Sequence, residues 1–119
     1  MQRTAPRPPA TKIPVDAVET GGAKPVDLVH LAMLTQGDVD LEREVLSIFV
    51  SQAPVYLAAY RAAADGEGRR RAAHTLKGAA RGIGAWRLAQ AAELAETTNS
   101  AAAIEEEIGR VCDFIRKLG

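Results

Sequence analysis

The chain is short of cysteine and aromatic residues, and each shortage narrows what it can be. Cys112 is the single cysteine, so an intramolecular disulfide is excluded and a reducing compartment, the cytoplasm, is the plain expectation. Only 4% of the residues are aromatic, so any core has to be assembled from Ala, Leu, Val and Ile. No apolar run approaches the ~18 residues of a membrane span, and the N-terminus lacks the apolar stretch of a secretory signal. Lys+Arg and Asp+Glu both number 15; with no net charge, no overall field favours nucleic acid. Two histidines and one cysteine, far apart in sequence, do not make a metal site. A soluble cytoplasmic protein that binds no metal, nucleic acid or membrane is expected.

What the chain has is alanine, in runs that favour helices, and an apolar fraction of 47%. A length of 119 residues allows one small domain and a tail. Five of the six prolines fall within 1–25, with a Gly-Gly pair near the end of that stretch. The composition there cannot bury a core and predicts a disordered tail, with the folded unit over 26–119.

A short helix is predicted to begin at Asp27, burying Leu28, Leu31 and Ala32, and to stop before Gln36-Gly37-Asp38. Asp38 or Asp40 can cap a long second helix. Its apolar stripe reads Leu41, Val45, Ile48, Phe49, Gln52 or Ala53, Tyr56, Leu57 and Tyr60. Pro54 lies within that stripe and should kink the helix without ending it, since the pattern resumes at once. Asp65-Gly66-Glu67-Gly68 reads as a turn, with a third helix from about Arg69 to Gly82. A fourth starts near Ala85, with Leu88, Ala91, Ala92 and Ala95 inward. Asn99-Ser100 makes the next turn, and the last helix buries Ile104, Ile108, Val111, Ile115 and Leu118 at the spacing of a bundle seam. Cys112, beside that seam, reads as a core or boundary residue. Short connections between long helices make neighbours antiparallel. The expected fold is all-α, an antiparallel up-down four-helix bundle with a short N-terminal helical arm. No continuous exposed apolar stripe is evident, so a monomer is expected.

The third helix carries the chemistry. Residues 65–87 hold six bases (Arg69, Arg70, Arg71, Lys77, Arg81, Arg87) against two acids (Asp65, Glu67), whereas the flanking segments are net acidic. A basic surplus suits a site that receives an anion, although a solvated basic face has the same composition. At 100° per residue, Leu76, Ala72, Ala79, Ala80 and Ile83 gather on one face and His74 centres the opposite one. Lys77, Arg70 and Arg81 fall within about 60° of His74 on one side, with Gly78 and Arg71 within about 60° on the other. An exposed neutral imidazole can act as a nucleophile through a ring nitrogen. Lys77 at i+3 and Arg81 at i+7 are placed to pair with a phosphate held there. Gly78 is the oddity, because a helix-interior glycine costs about 1 kcal/mol relative to alanine. One turn from His74, it removes the side chain that would crowd the ring. A small molecule does not need a helix surface cleared in this way, whereas a second protein does.

His74-Thr75-Leu76-Lys77-Gly78-Ala79-Ala80-Arg81-Gly82-Ile83-Gly84-Ala85 resembles the signature of histidine-containing phosphotransfer (HPt) domains. These four-helix bundles relay phosphate between receiver domains in multistep two-component signalling. The resemblance extends upstream through the Gly37-Asp38 turn and Pro54, and downstream through Ala85, Leu88 and the run Ala92–Glu96. It is good over 26–97 and generic over 98–119. It implies that His74 is the phospho-acceptor, that Lys77 steadies the phosphoryl group and that Gly78 gives the partner room. Arg81, Arg70 and Arg71 are further candidates for partner binding. Many relatives carry serines where this chain has Ala79 and Ala80; both face inward on the wheel, so a packing difference is expected.

The resemblance implies a phosphocarrier and not an enzyme. The sequence has no acidic triad for Mg²⁺, no Gly-rich nucleotide loop and no kinase motif. The receiver domain of a hybrid histidine kinase or response regulator would supply Mg²⁺ and the aspartyl phosphate. An alternative is a non-phosphorylated helical adaptor that inhibits a receiver or kinase, but an adaptor needs neither His74 nor Lys77. A kinase fragment would lack its ATP-binding half. Elsewhere, His30 reads as exposed on the arm and Glu105-Glu106-Glu107 as a solvated face. Trp86 and Arg87 either rim the partner site or cap the bundle.

Overall fold

Three aspartates open the first three helices in the same way. The Asp27 carboxylate accepts from the His30 N–H at 3.1 Å, Asp38 from Leu41 at 3.1 Å and Asp65 from Gly68 at 2.9 Å. Each satisfies one of the four N–H groups that a helix start leaves without a partner. The computed structural model describes residues 24–118, and over these the helices are α1 (Leu28–Thr35), α2 (Val39–Ala62), α3 (Gly66–Gly82), α4 (Trp86–Ala95) and α5 (Ala101–Leu118). No strand occurs among the described residues. Residues 1–23 of the expected tail, and Gly119, lie outside them; Val26 is fully buried.

The described residues form an all-helical bundle. α2 packs on α3, α3 on α4, α4 on α5 and α5 back on α2, while α1 lies against α2. The core is Leu46, Phe49, Ala53, Leu57 and Tyr60 from α2, with Ala73, Leu76 and Ala80 from α3. Leu88, Ala89, Ala92 and Ala95 come from α4, and Ile104, Ile108, Val111 and Cys112 from α5. α3 and α4 thus meet the core mainly through alanine, and small side chains let two helices lie close. Burial pushes the Cys112 thiol above its ordinary range.

Several expectations shift. α3 begins at Gly66, not near Arg69, because Asp65 caps it and draws the supposed turn residues Gly66–Gly68 into the first helical turn. The buried stripe of α2 includes Leu46, while Leu41 and Ile48 are exposed. In a 24-residue helix an i+3 or i+4 choice made early rotates the inferred face. α2 runs unbroken through Pro54. In α4, Ala89 is buried where Ala91 was expected to be, and in α5 Leu118 is about half exposed. Apolar side chains also stand in solvent on the arm and the start of α2: Val29, Met33, Leu34, Val39, Leu41 and Ile48. The monomer expectation rested on the absence of such a surface, and that support is removed. No helix of the described residues is long and apolar enough to cross a membrane.

Candidate functional site

α3 turns Ala73, Leu76 and Ala80 into the core. This places the centre of its buried face nearer Lys77 than the sequence wheel did; Ala72 and Ala79, expected inside, are only half-buried. His74 remains on the open side, its side chain 66% exposed. Lys77 does not stand out on an open stripe. It lies down at the boundary with α4, its side chain 12% exposed.

The group that holds it there is Glu96, the residue just past the end of α4. One carboxylate oxygen, Oε2, accepts from Lys77 Nζ at 2.8 Å and lies 3.2 Å from His74 Nδ1. The Lys77 hydrogen bond is the main reason the Glu96 carboxyl sits below its ordinary range. Partial burial opposes the shift, and the contact with His74 adds to it. The second contact is a hydrogen bond when the imidazole proton is on Nδ1. Glu96 therefore selects that tautomer, leaving Nε2 with a free lone pair. Beside this group, a Cβ built on Gly78 would meet nothing within 4 Å. The surface next to His74 is open.

The candidate arginines are looser. Arg70 and Arg71 both reach Glu67 on their own helix at 3.6 Å, and Arg81 reaches Glu93 of α4 at 3.7 Å; all three are about half or more exposed. Exposed pairs at such distances hold little energy. The structure brings His74, Lys77 and Gly78 together with Arg81 along one side of α3, and leaves Arg70 and Arg71 toward its start.

Sequence reasoning missed Glu96, because helical periodicity places residues on one helix and says nothing of what the next helix lays across it. The available signal was the Glu93 and Glu96 pair at i, i+3 in the segment after the basic helix. A second missed feature lies at the far end of α3. Gly84 adopts φ +76°, and a Cβ there would come within 2.8 Å of the Asp27 Cβ and 3.1 Å of its carbonyl oxygen. Through this close approach the Asp27 N–H reaches the Gly84 carbonyl at 2.9 Å, while the Trp86 indole N–H donates to the Asp27 carboxylate at 3.1 Å. Burial pushes the Asp27 carboxyl up. The bonds from the His30 amide, the Trp86 indole and the Val29 amide outweigh it and hold the group below its ordinary range. His30, expected to be exposed, is partly covered and packs its ring against that of Trp86 at a steep angle, with centroids 5.0 Å apart. Trp86 thus fastens the arm to the bundle. Glu107 is also not simply solvated: its side chain is 14% exposed and pairs with Arg87 at 3.2 Å. No group of three or more His, Cys, Asp or Glu is arranged to hold a metal among the described residues.

No curated protein and no solved structure gave a significant match to the chain. The family model of the Hpt domain matches residues 44–118, which takes in most of α2, all of α3, α4 and α5, and with them His74, Lys77, Gly78 and Glu96. That span is more than half of the sequence, and the chain belongs to the Hpt domain family.

Proposed function

We propose that this chain is the phosphocarrier of a multistep phosphorelay in the cytoplasm, an up-down bundle that accepts a phosphoryl group on His74 Nε2 from the aspartyl phosphate of one receiver domain and passes it to another. The observation that carries this reading is the single Glu96 oxygen shared by Lys77 Nζ and His74 Nδ1, set beside the open surface at Gly78. With the proton on Nδ1, the Nε2 lone pair attacks phosphorus. The N–P bond forms as the bond to the aspartyl oxygen breaks, and the receiver's carboxylate leaves with the electron pair. The imidazole keeps its Nδ1 proton and becomes cationic, with the Glu96 carboxylate already against that proton. Lys77 has three N–H donors; one stays on Glu96, and the others are within reach of the phosphoryl oxygens. Such a transfer depends on positioning and charge neutralisation. Mg²⁺ and the aspartate belong to the receiver. Arg81, Arg70 and Arg71 complement its acidic site, and Gly78 lets that site approach.

The test is incubation of the full chain with phosphorylated receiver domains. Acid-labile, base-stable phosphate is expected on the wild type and none on His74→Gln, which should fold normally because the side chain it alters is largely exposed. Labelling of His74→Gln would remove the assignment.

A further inference from the structure

We propose that Tyr60, buried in α2, is a positioning residue for the reaction on His74 and acts through Glu96. The inference rests on the phosphocarrier reading of His74.

Glu96 sits just past the end of a short helix. α4 has 10 residues, and its last four carbonyls have no partner within the helix. The turn that follows, Thr97 to Ser100, is polar and mostly exposed, and Thr98 spends its own hydroxyl on Leu94 at 2.8 Å. Left to these local bonds, the residue that orients His74 would move with the helix end.

Tyr60 closes that end. Its side chain is 1% exposed, and its hydroxyl meets the carbonyls of Ala95 at 2.9 Å and Thr98 at 2.8 Å and accepts from the Ser100 N–H at 3.3 Å. A phenol has one proton, so the two carbonyls share it, and the oxygen lone pair takes the amide. All three groups flank Glu96 in sequence, and Ala95 is its immediate neighbour. The backbone on either side of Glu96 is therefore tied to α2 from below, while its carboxylate is tied to α3 from above. The tyrosine touches neither phosphate nor imidazole. It fixes where the Glu96 backbone lies, and so whether Oε2 reaches Lys77 and His74 together.

The test uses Tyr60→Phe in the full chain, which keeps the ring in the core and removes only the hydroxyl. The unphosphorylated protein is read first, by ¹⁵N NMR of the His74 ring. The Nδ1–H form should dominate in the wild type and fall toward the free-imidazole mixture in Tyr60→Phe. Phosphate uptake from a phosphorylated receiver should slow about fivefold or more. In a Glu96→Gln background, Tyr60→Phe should add less than about a twofold further change. Val111→Ala, a core change on α5, should lower stability while leaving the His74 ring signature as it is. If Tyr60→Phe fails to fold, the same comparison is made with Gly109→Ala added, which strengthens α5 at an exposed site where a Cβ meets nothing. An unchanged ring signature in a folded Tyr60→Phe protein overturns the proposal, as does equal slowing with and without Glu96. The ring measurement needs no phosphate. A wild type that takes up none would count against the phosphocarrier reading and leave the Tyr60 coupling to be decided by NMR.

Discussion

Two regions of α3 and its exit are built from the same pair of parts, a glycine and a carboxylate, and use them in opposite ways. At the exit, Gly84 is filled: the Asp27 Cβ and backbone occupy the space where a side chain would stand. Asp27 is answered by amide and indole N–H groups of its own chain. At mid-helix, Gly78 opens onto nothing, and Glu96 is answered by a lysine and a histidine. The first region is closed and joins the arm to the bundle. The second carries the His74 imidazole into solvent. A glycine in the sequence marks both, and only the surroundings distinguish a space filled by the chain itself from one left open.

The comparison is tested most severely at Gly84. Replacing it with alanine forces an L-residue into left-handed backbone and drives a methyl into Asp27. A loss of about 2–4 kcal/mol is expected in urea unfolding, with transfer kept in the folded fraction. A melting temperature equal to wild type would mean the approach of Asp27 is not tight. Gly78→Glu should do the reverse. It should melt within a few degrees of wild type and yet transfer phosphate at least about tenfold more slowly, a barrier change of about 1.4 kcal/mol, since it blocks the approach and sets a negative charge beside the phosphoryl group. Gly109, exposed on α5 and equally open, is the control: Gly109→Glu should leave the transfer rate unchanged, and a slowing there would make the Gly78 effect generic.

The two carboxylates give a pH test. Both are held below their ordinary range, so the stability each contributes is complete above the unfolded-state value and is lost as pH falls through the lower folded one. Glu96→Gln should flatten the acid limb of the stability curve, and Asp27→Asn should do the same. Only Glu96→Gln should also alter transfer at neutral pH, where denaturation and uptake are measured side by side. The smallest effect expected is that of Gly78→Ala. It should stabilise the fold by about 0.5–1 kcal/mol in urea unfolding, because helix propensity is then the only change.

Much of this was legible from the residues. The start of α1 at Asp27 and its stop before Gln36, the cap at Asp38, the start of α4, the exposed position of His74 and the gap at Gly78 follow from local chemistry and period. What escaped was contributed across helices. Glu96 enters the site from 22 residues beyond His74, and no spacing within α3 announces it. Leu46 and Leu41 exchanged places because the face of a long helix is chosen by its neighbours as well as by its own pattern. Gly66 and Gly68 read as a turn by composition, yet the Asp65 cap made them helical. Asp27, read only as a helix start, is also the residue that Gly84 makes room for.

Trp86 is the single tryptophan, and it lies at the joint with the arm, its indole bonded to Asp27 and its ring packed against His30. Intrinsic fluorescence of this protein is therefore a gauge of one joint. Excitation at the indole band reports whether the arm is seated, through the loss of the hydrogen bond and the red shift that follows exposure to water. A receiver that binds without disturbing the arm will leave the emission spectrum flat. One that levers the arm away will announce itself optically, with no dye attached.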